Sequence, residues 1–244
     1  MFPNVVAILL VPVALSALAG MGSPARQTAD EIVARNLAAK GGVERLKALT
    51  TARITASISG KGRDVRLTVW SKRPNLMRRE VVDGNQKIIN GFDGSALWVE
   101  DPRLGGQPQR ITGPQAELAS QEAEFDNVFV DYRQKGHTVE LVGTETLDSR
   151  SVHHLKLTRR NGRVQHHYID AETALEVRVV TSLDQGGMKA EFATDFSDHR
   201  DVEGLKVPFT MVQSVNGTPG QRVTLERVEF NVPVDDAMFQ VPRS

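Results

Sequence analysis

The sequence predicts an α+β fold dominated by one large antiparallel β-sheet with a few helices laid over it. Three observations predict it. Beyond residue 50 most of the chain alternates apolar and polar residues with a period of two. Gly, Asn and Asp turn signals break that alternation at short, regular intervals, the mark of consecutive hairpins rather than parallel crossovers. The strands number about ten to twelve, more than a flat sheet carries without curling or closing.

The chain opens on helix. Thr28 or Asp30 is placed to cap it, Glu31 puts negative charge in the first turn, and Ile32, Val33, Leu37 and Ala38 form one apolar stripe. Gly41-Gly42 ends it, and Val43, Leu46 and Leu49 predict a short second helix over 42–49. The period then changes to two. Ala52, Ile54, Ala56 and Ile58 lead to a Gly60-Lys61-Gly62 turn, then Val65, Leu67 and Val69. Runs over 76–82, 86–92 and 95–100 follow, split by Asp83-Gly84-Asn85 and Asp93-Gly94.

Residues 105–136 interrupt this meander. Gly105-Gly106, Pro108 and Pro114 read as loop, and 115–131 as a helix with Phe125, Val128, Phe129 and Tyr132 gathered at its end. A helix inside a meander must lie on a face or rim of the sheet, as a lid. Strands then resume. Asn161-Gly162 between 152–158 and 164–169 predicts a two-residue hairpin turn, because both residues tolerate positive φ. In the strand 222–230, Val223 and Leu225 share one parity, and Val228 and Phe230 the other, which predicts a β-bulge near Glu226-Arg227.

Composition narrows the function. The 244 residues contain no long linker, so residues 26–244 read as one domain, and 40% apolar residues suffice for a core. Lys+Arg and Asp+Glu balance at 30 each, which gives no electrostatic reason to expect nucleic acid. With no cysteine there is no disulfide, thiolate nucleophile, Cys-ligated metal or lipidated N-terminal cysteine. Residues 1–25 read as a cleaved signal peptide. The apolar run 5–15 is too short to span a membrane, and Ala17-Leu18-Ala19 and Ser23-Pro24-Ala25 both suit cleavage. That places the mature chain in a periplasm.

Groups with chemical potential do not converge. If Arg160 pairs with Arg163, then His154 and His167 share a face with Lys156 between them and no clear carboxylate. They read as surface histidines, not a metal site. Asp195, Asp198, Asp201 and His199 read as a solvated corner. No serine sits in G-x-S-x-G, and no nucleophile, base and orienting group assemble, so no catalytic residue and no metal ligand is expected.

Short stretches resemble the lipoprotein-carrier superfamily of periplasmic proteins. That superfamily includes the outer-membrane lipoprotein-sorting carrier, an anti-sigma-factor-binding sensor and mycobacterial glycolipid carriers. The stretches are the opening helix 29–35, Lys72-Arg73-Pro74-Asn75-Leu76-Met77-Arg78, Tyr168-Ile169-Asp170-Ala171-Glu172-Thr173-Ala174-Leu175, the run 196–209, and a terminal strand with Pro233-Val234-Asp235-Asp236-Ala237-Met238-Phe239. The resemblance implies an unclosed half-barrel whose concave face is apolar and covered by helices. It implies acyl-chain binding, no cofactor, and delivery to an inner- or outer-membrane protein partner.

Each buried CH₂ of an acyl guest contributes about 0.8 kcal/mol, so little polar signature is needed. The lining candidates are Ile54, Ile58, Leu67, Val69, Trp98, Phe125, Phe129, Leu155, Leu157, Phe192 and Phe209. Leu97 competes with Trp98, because their opposite parity lets only one point inward. The expected function is therefore periplasmic binding or transport of a lipid or lipoprotein acyl chain. The alternative is an envelope interaction or sensor module on the same fold.

Overall fold

The computed structural model describes residues 27–60, 62–185 and 188–242. The signal peptide expected over 1–25 lies outside the described residues.

Helices α1 (Ala29–Ala39) and α2 (Val43–Ala48) precede strands β1 (Thr51–Gly60), β2 (Arg63–Lys72), β3 (Leu76–Asp83), β4 (Gln86–Asp93), β5 (Leu97–Glu100) and β6 (Gln109–Ile111). Helix α3 (Pro114–Glu122) leads into β7 (Thr138–Leu147), β8 (Arg150–Thr158), β9 (Val164–Asp170), β10 (Glu176–Gln185), β11 (Met188–Val202), β12 (Leu205–Val215) and β13 (Thr218–Phe230). All thirteen strands form one antiparallel sheet in the order β6-β5-β4-β3-β2-β1-β13-β12-β11-β10-β9-β8-β7. The sheet is an unclosed, curved half-barrel, one strand beyond the expected range. Two meanders meet at β1 and β13 and run outward to edges β6 and β7.

Local chemistry sets the boundaries. Thr28 and Glu31 form a reciprocal capping box at the start of α1. Thr55 pairs with Arg227 and Ala56 with Leu225, so Glu226 is the extra residue of the bulge expected there. The helix expected over 115–131 is shorter. It ends at Ala123, because Phe125 N–H bonds Pro74 O, Asp126 pairs with Arg73 at 2.6 Å, and the Asn127 side chain accepts from Phe129 N–H. Its aromatic end therefore lies in a run of turns.

The Asn161-Gly162 hairpin also differs from expectation. Arg159 and Arg163 close it through Arg159 N–H to Arg163 O and Gly162 N–H to Arg159 O, and Gly162 takes φ +82°. The loop has three residues, so the pairing shifts by one and every side chain of the pair changes partner. Leu155 opposes His167, and His154 opposes Tyr168. The expected His154–His167 pair is thereby split between the two faces. His154 instead meets His166 at 2.7 Å and stacks on Tyr168.

Residues opposite one another in an antiparallel pair share a face. One row of the convex face runs Arg53, Trp70, Arg78, Gly91, Trp98. The guanidinium of Arg53 lies over Trp70, and that of Arg78 over Trp98. The stretch 233–239, expected as a terminal strand, is no strand. It closes in a 3₁₀ turn over Asp236–Phe239 and straps this face: Trp98 Nε1–H donates to Phe239 O at 2.8 Å, and Arg78 to Met238 O at 2.9 Å. Trp98, expected on the ligand face, is thus fully buried on the opposite one.

Gly91 makes that placement possible, because a Cβ there would lie 2.1 Å from the Trp98 ring. Gly91→Ala should lower the unfolding free energy by about 1–3 kcal/mol through overpacking. Urea unfolding followed by tryptophan fluorescence measures the loss. An unchanged midpoint would show that the ring relocates without strain.

Candidate functional site

The other face is concave, and side chains divide it into three regions. Over β7 to β9 it is sealed: Ile32, Val33 and Leu37 of α1 pack with Phe129, Val130, Leu155, Leu157 and Ile169. Over β3 and β4 it is covered by Ala119 and Ala123, at and just beyond the end of α3, packing on Met77 and Phe92. Between these lies a cluster built by strands alone, around Ala56, Leu67, Phe209, Val223, Leu225 and Val228. Ile54, Ile58, Val69 and Met211 are only partly buried against it. No helical side chain belongs to this central cluster among the described residues.

The sequence candidates therefore separate. The central trough brings together Ile54, Ile58, Leu67, Val69 and Phe209. Phe129, Leu155 and Leu157 are packed core under α1. Phe192 points to the concave face further along β11 and is 42% exposed, as is its cross-strand partner Val215. Phe125 lies beneath the Arg73 guanidinium in the connection after α3. Leu97, not Trp98, packs toward the concave side with Phe92. Val223, Leu225 and Met211 complete the trough, and the bulge at Glu226 is the signal that placed the first two inward.

A bulge also turns one charge inward. Arg178 opposes Tyr168, yet Glu176 opposes Ile169, so Val177 is the extra residue and Glu176 joins the helix-covered face. There it meets His167 Nδ1 at 2.7 Å and Lys40, the cap residue ending α1, at 3.6 Å. Burial pushes the Glu176 pKa up, but the Lys40 charge and the His167 hydrogen bond outweigh it and hold the carboxyl at about 2. Burial, then Lys40, lowers the pKa of nearby His199. Lys40, Glu176 and His199 form one polar wall of a cavity of about 270 Å³, whose other walls include Leu46, Leu49, Phe196, Val207 and Phe230.

A larger cavity, about 890 Å³, lies between α3, the turn Gly94-Ser95-Ala96 and the tip of the β8–β9 hairpin. Among the described residues no set of three or more His, Asp and Glu is placed to hold a metal ion, and no helix is long and apolar enough to cross a membrane. His154, His166 and Glu145 do meet, but as a hydrogen-bonded chain on the convex face.

No family model matches the sequence, and no curated protein matches it. Solved structures do. A DUF1329 family protein from Desulfovibrio piger matches with a TM-score of 0.60 at 15% identity, covering 87% of this chain and 97% of that one. A LolA superfamily protein from Nitrosomonas europaea matches at 0.58 and 14% identity, covering 88% and 98%. A domain named for outer-membrane lipoprotein sorting, from Vibrio parahaemolyticus, matches at 0.57 and 14%, covering 86% and 94%.

Glu176 generates a pH prediction. Its pKa falls from 4.5 to about 2 on folding, so its contribution is full above 4.5 and lost as pH falls toward 2. Glu176→Gln should destabilise the protein at neutral pH, by leaving Lys40 and His167 without their carboxylate, and should flatten the acid limb of stability against pH. Denaturant melts between pH 5 and pH 2 test this. Parallel wild-type and variant curves would refute it. Near full-length structural coverage gives this chain the fold of these solved structures, one of them named for the LolA superfamily and one for outer-membrane lipoprotein sorting.

Proposed function

We propose that the protein binds an apolar guest, an acyl chain of a lipid or lipoprotein, in the strand-built trough and carries it through the periplasm without catalysing a reaction on it. One observation carries this reading. The middle of the concave face is built of apolar side chains, with the Arg200 guanidinium over Phe209 as its charged neighbour; no helical side chain joins that cluster among the described residues, and exposed Phe192 and Val215 lie further along the same face beyond Thr194 and Gln213. An apolar face of that kind costs free energy in water unless something covers it. A C16 chain gains on the order of 10 kcal/mol gross from burial, before ordering entropy is subtracted. The likeness to a lipoprotein-sorting domain supports the reading at the level of fold.

Export of the full chain, purification without detergent and native mass spectrometry test it. The expected result is a stoichiometric lipid adduct. Phe192→Asp, at an exposed position the fold tolerates, should weaken binding of a C16 fluorescent fatty acid about tenfold by placing a charge where chain methylenes lie. An adduct-free mass with no probe binding would refute the reading.

A further inference from the structure

The larger cavity has a chemistry the trough does not. Its floor includes Phe92, Ala96 and Ile111, but its walls carry Lys135, Arg159 and Arg160. Lys135 and Arg159 share a single carboxylate, Glu124, at 2.6 and 2.9 Å. No ion pair among the described residues takes up Arg160. The other wall carboxylate, Glu117, faces Arg163 at 3.5 Å. Three cations thus face two carboxylates in the cavity lining.

Donors are in surplus as well. His137, in the wall, accepts the Arg160 backbone N–H at its Nδ1, which assigns the ring proton to Nε2, and Nε2 has no acceptor among the described atoms. Burial, then Arg159, lowers the His137 pKa, in keeping with that neutral form. Buried donors without acceptors are costly, and guanidinium and ammonium groups satisfy oxyanions most strongly.

The cavity also lies beside the trough. Val69 packs against both the central cluster and the Met77–Phe92 cluster, so the trough adjoins the packed cluster that forms the cavity floor at Phe92. At about 890 Å³ the cavity is in the size range of small-molecule sites.

We propose that this cavity holds the oxyanion head of an amphiphile, a phosphate or carboxylate group, whose chain lies in the trough. The inference rests on the trough reading and narrows its ligand class to anionic amphiphiles. Arg160, on the hairpin tip, stands on one side of the head, and Lys135 and Arg159 line the cavity from the connection and the strand.

The test uses the full exported chain stripped of lipid and three probes: palmitoyl lysophosphatidylglycerol, monopalmitoylglycerol and glycerol 3-phosphate. The charged lipid should bind about tenfold or more tighter than the neutral one of equal chain length. Arg160→Ala and Lys135→Gln should bring that ratio close to one, with urea unfolding midpoints matching wild type to show that the variants fold; a ratio unchanged in both folded variants would overturn the head site. Glu124→Gln should raise the ratio, because it releases Lys135 and Arg159 from their shared acceptor. Equal affinities for the two lipids would overturn the head site and leave the trough reading standing. Failure of both lipids to bind would overturn the trough reading itself. Glycerol 3-phosphate binding as tightly as the charged lipid would assign the cavity to free phosphates and overturn the amphiphile.

Discussion

The structure depends on where the sheet is opened. Because β1 pairs with β13, the meanders run away from each other and end at β6 and β7, which are neighbours in sequence. The chain between them must pass from one edge of a thirteen-stranded sheet to the other. Laid flat, those edges would be about 58 Å apart. Helix α3 advances about 13 Å, and the remaining residues, about 17, would each have to advance about 2.6 Å, most of the way to full extension, to cover the rest. Much of that stretch is coiled into turns instead. Only a curled sheet can be bridged by such a connection, so curvature, concavity and a partial cover follow from the same topological fact.

The cover is fastened unevenly. Asn36 of α1 donates to Ala174 O at 2.8 Å, Arg35 reaches Ala171 O, and Lys40 meets Glu176. Arg73 ties the connection to the sheet through Asp126, and its guanidinium reaches Leu49 O as well. These bonds hold the helices over the flanks of the concave face, and the middle is left to strands. Openness brings two unpaired edges, which invite pairing with another chain. Edge β6 has only three residues, and edge β7 is bulged at Val142, between Leu141 and Gly143. Both features make a poor template for a partner strand.

Much of this was legible in the sequence, and the failures share a cause. The capping box at Thr28, the meander and the bulge at Glu226 are local patterns, and local patterns are what a sequence displays. The hairpin at Asn161-Gly162 was misread by one residue, because Asn-Gly serves both two-residue and three-residue loops and tertiary packing chooses. The error moved His167 from the surface to the interior. Trp98 and Leu97 could not be ranked by hydrophobicity. Gly91, opposite the indole, and Phe239 decide the matter from 7 and 141 positions away. Nothing in the sequence singles out Glu176, because the bulge at Val177 has no composition signature. The face on which a side chain lies was recoverable wherever alternation was unbroken, as at Ile54, Ile58, Leu67 and Val69. Those near the folded-over helices, Leu155 and Leu157, could not be told from packed core.

The β1–β13 seam has one more consequence, for the order in which the molecule can be made. Ala52 pairs with Phe230, so the partner of the first strand is the last to leave the ribosome. Each meander can zip from hairpin to hairpin as it emerges, but the two halves stay unjoined until the chain is almost complete. The central trough, which draws on both halves, is then assembled last, by the pairing with the greatest loop-closure entropy and the slowest expected rate. A chain built this way stays in two separately zipped halves until its thirteenth strand is made.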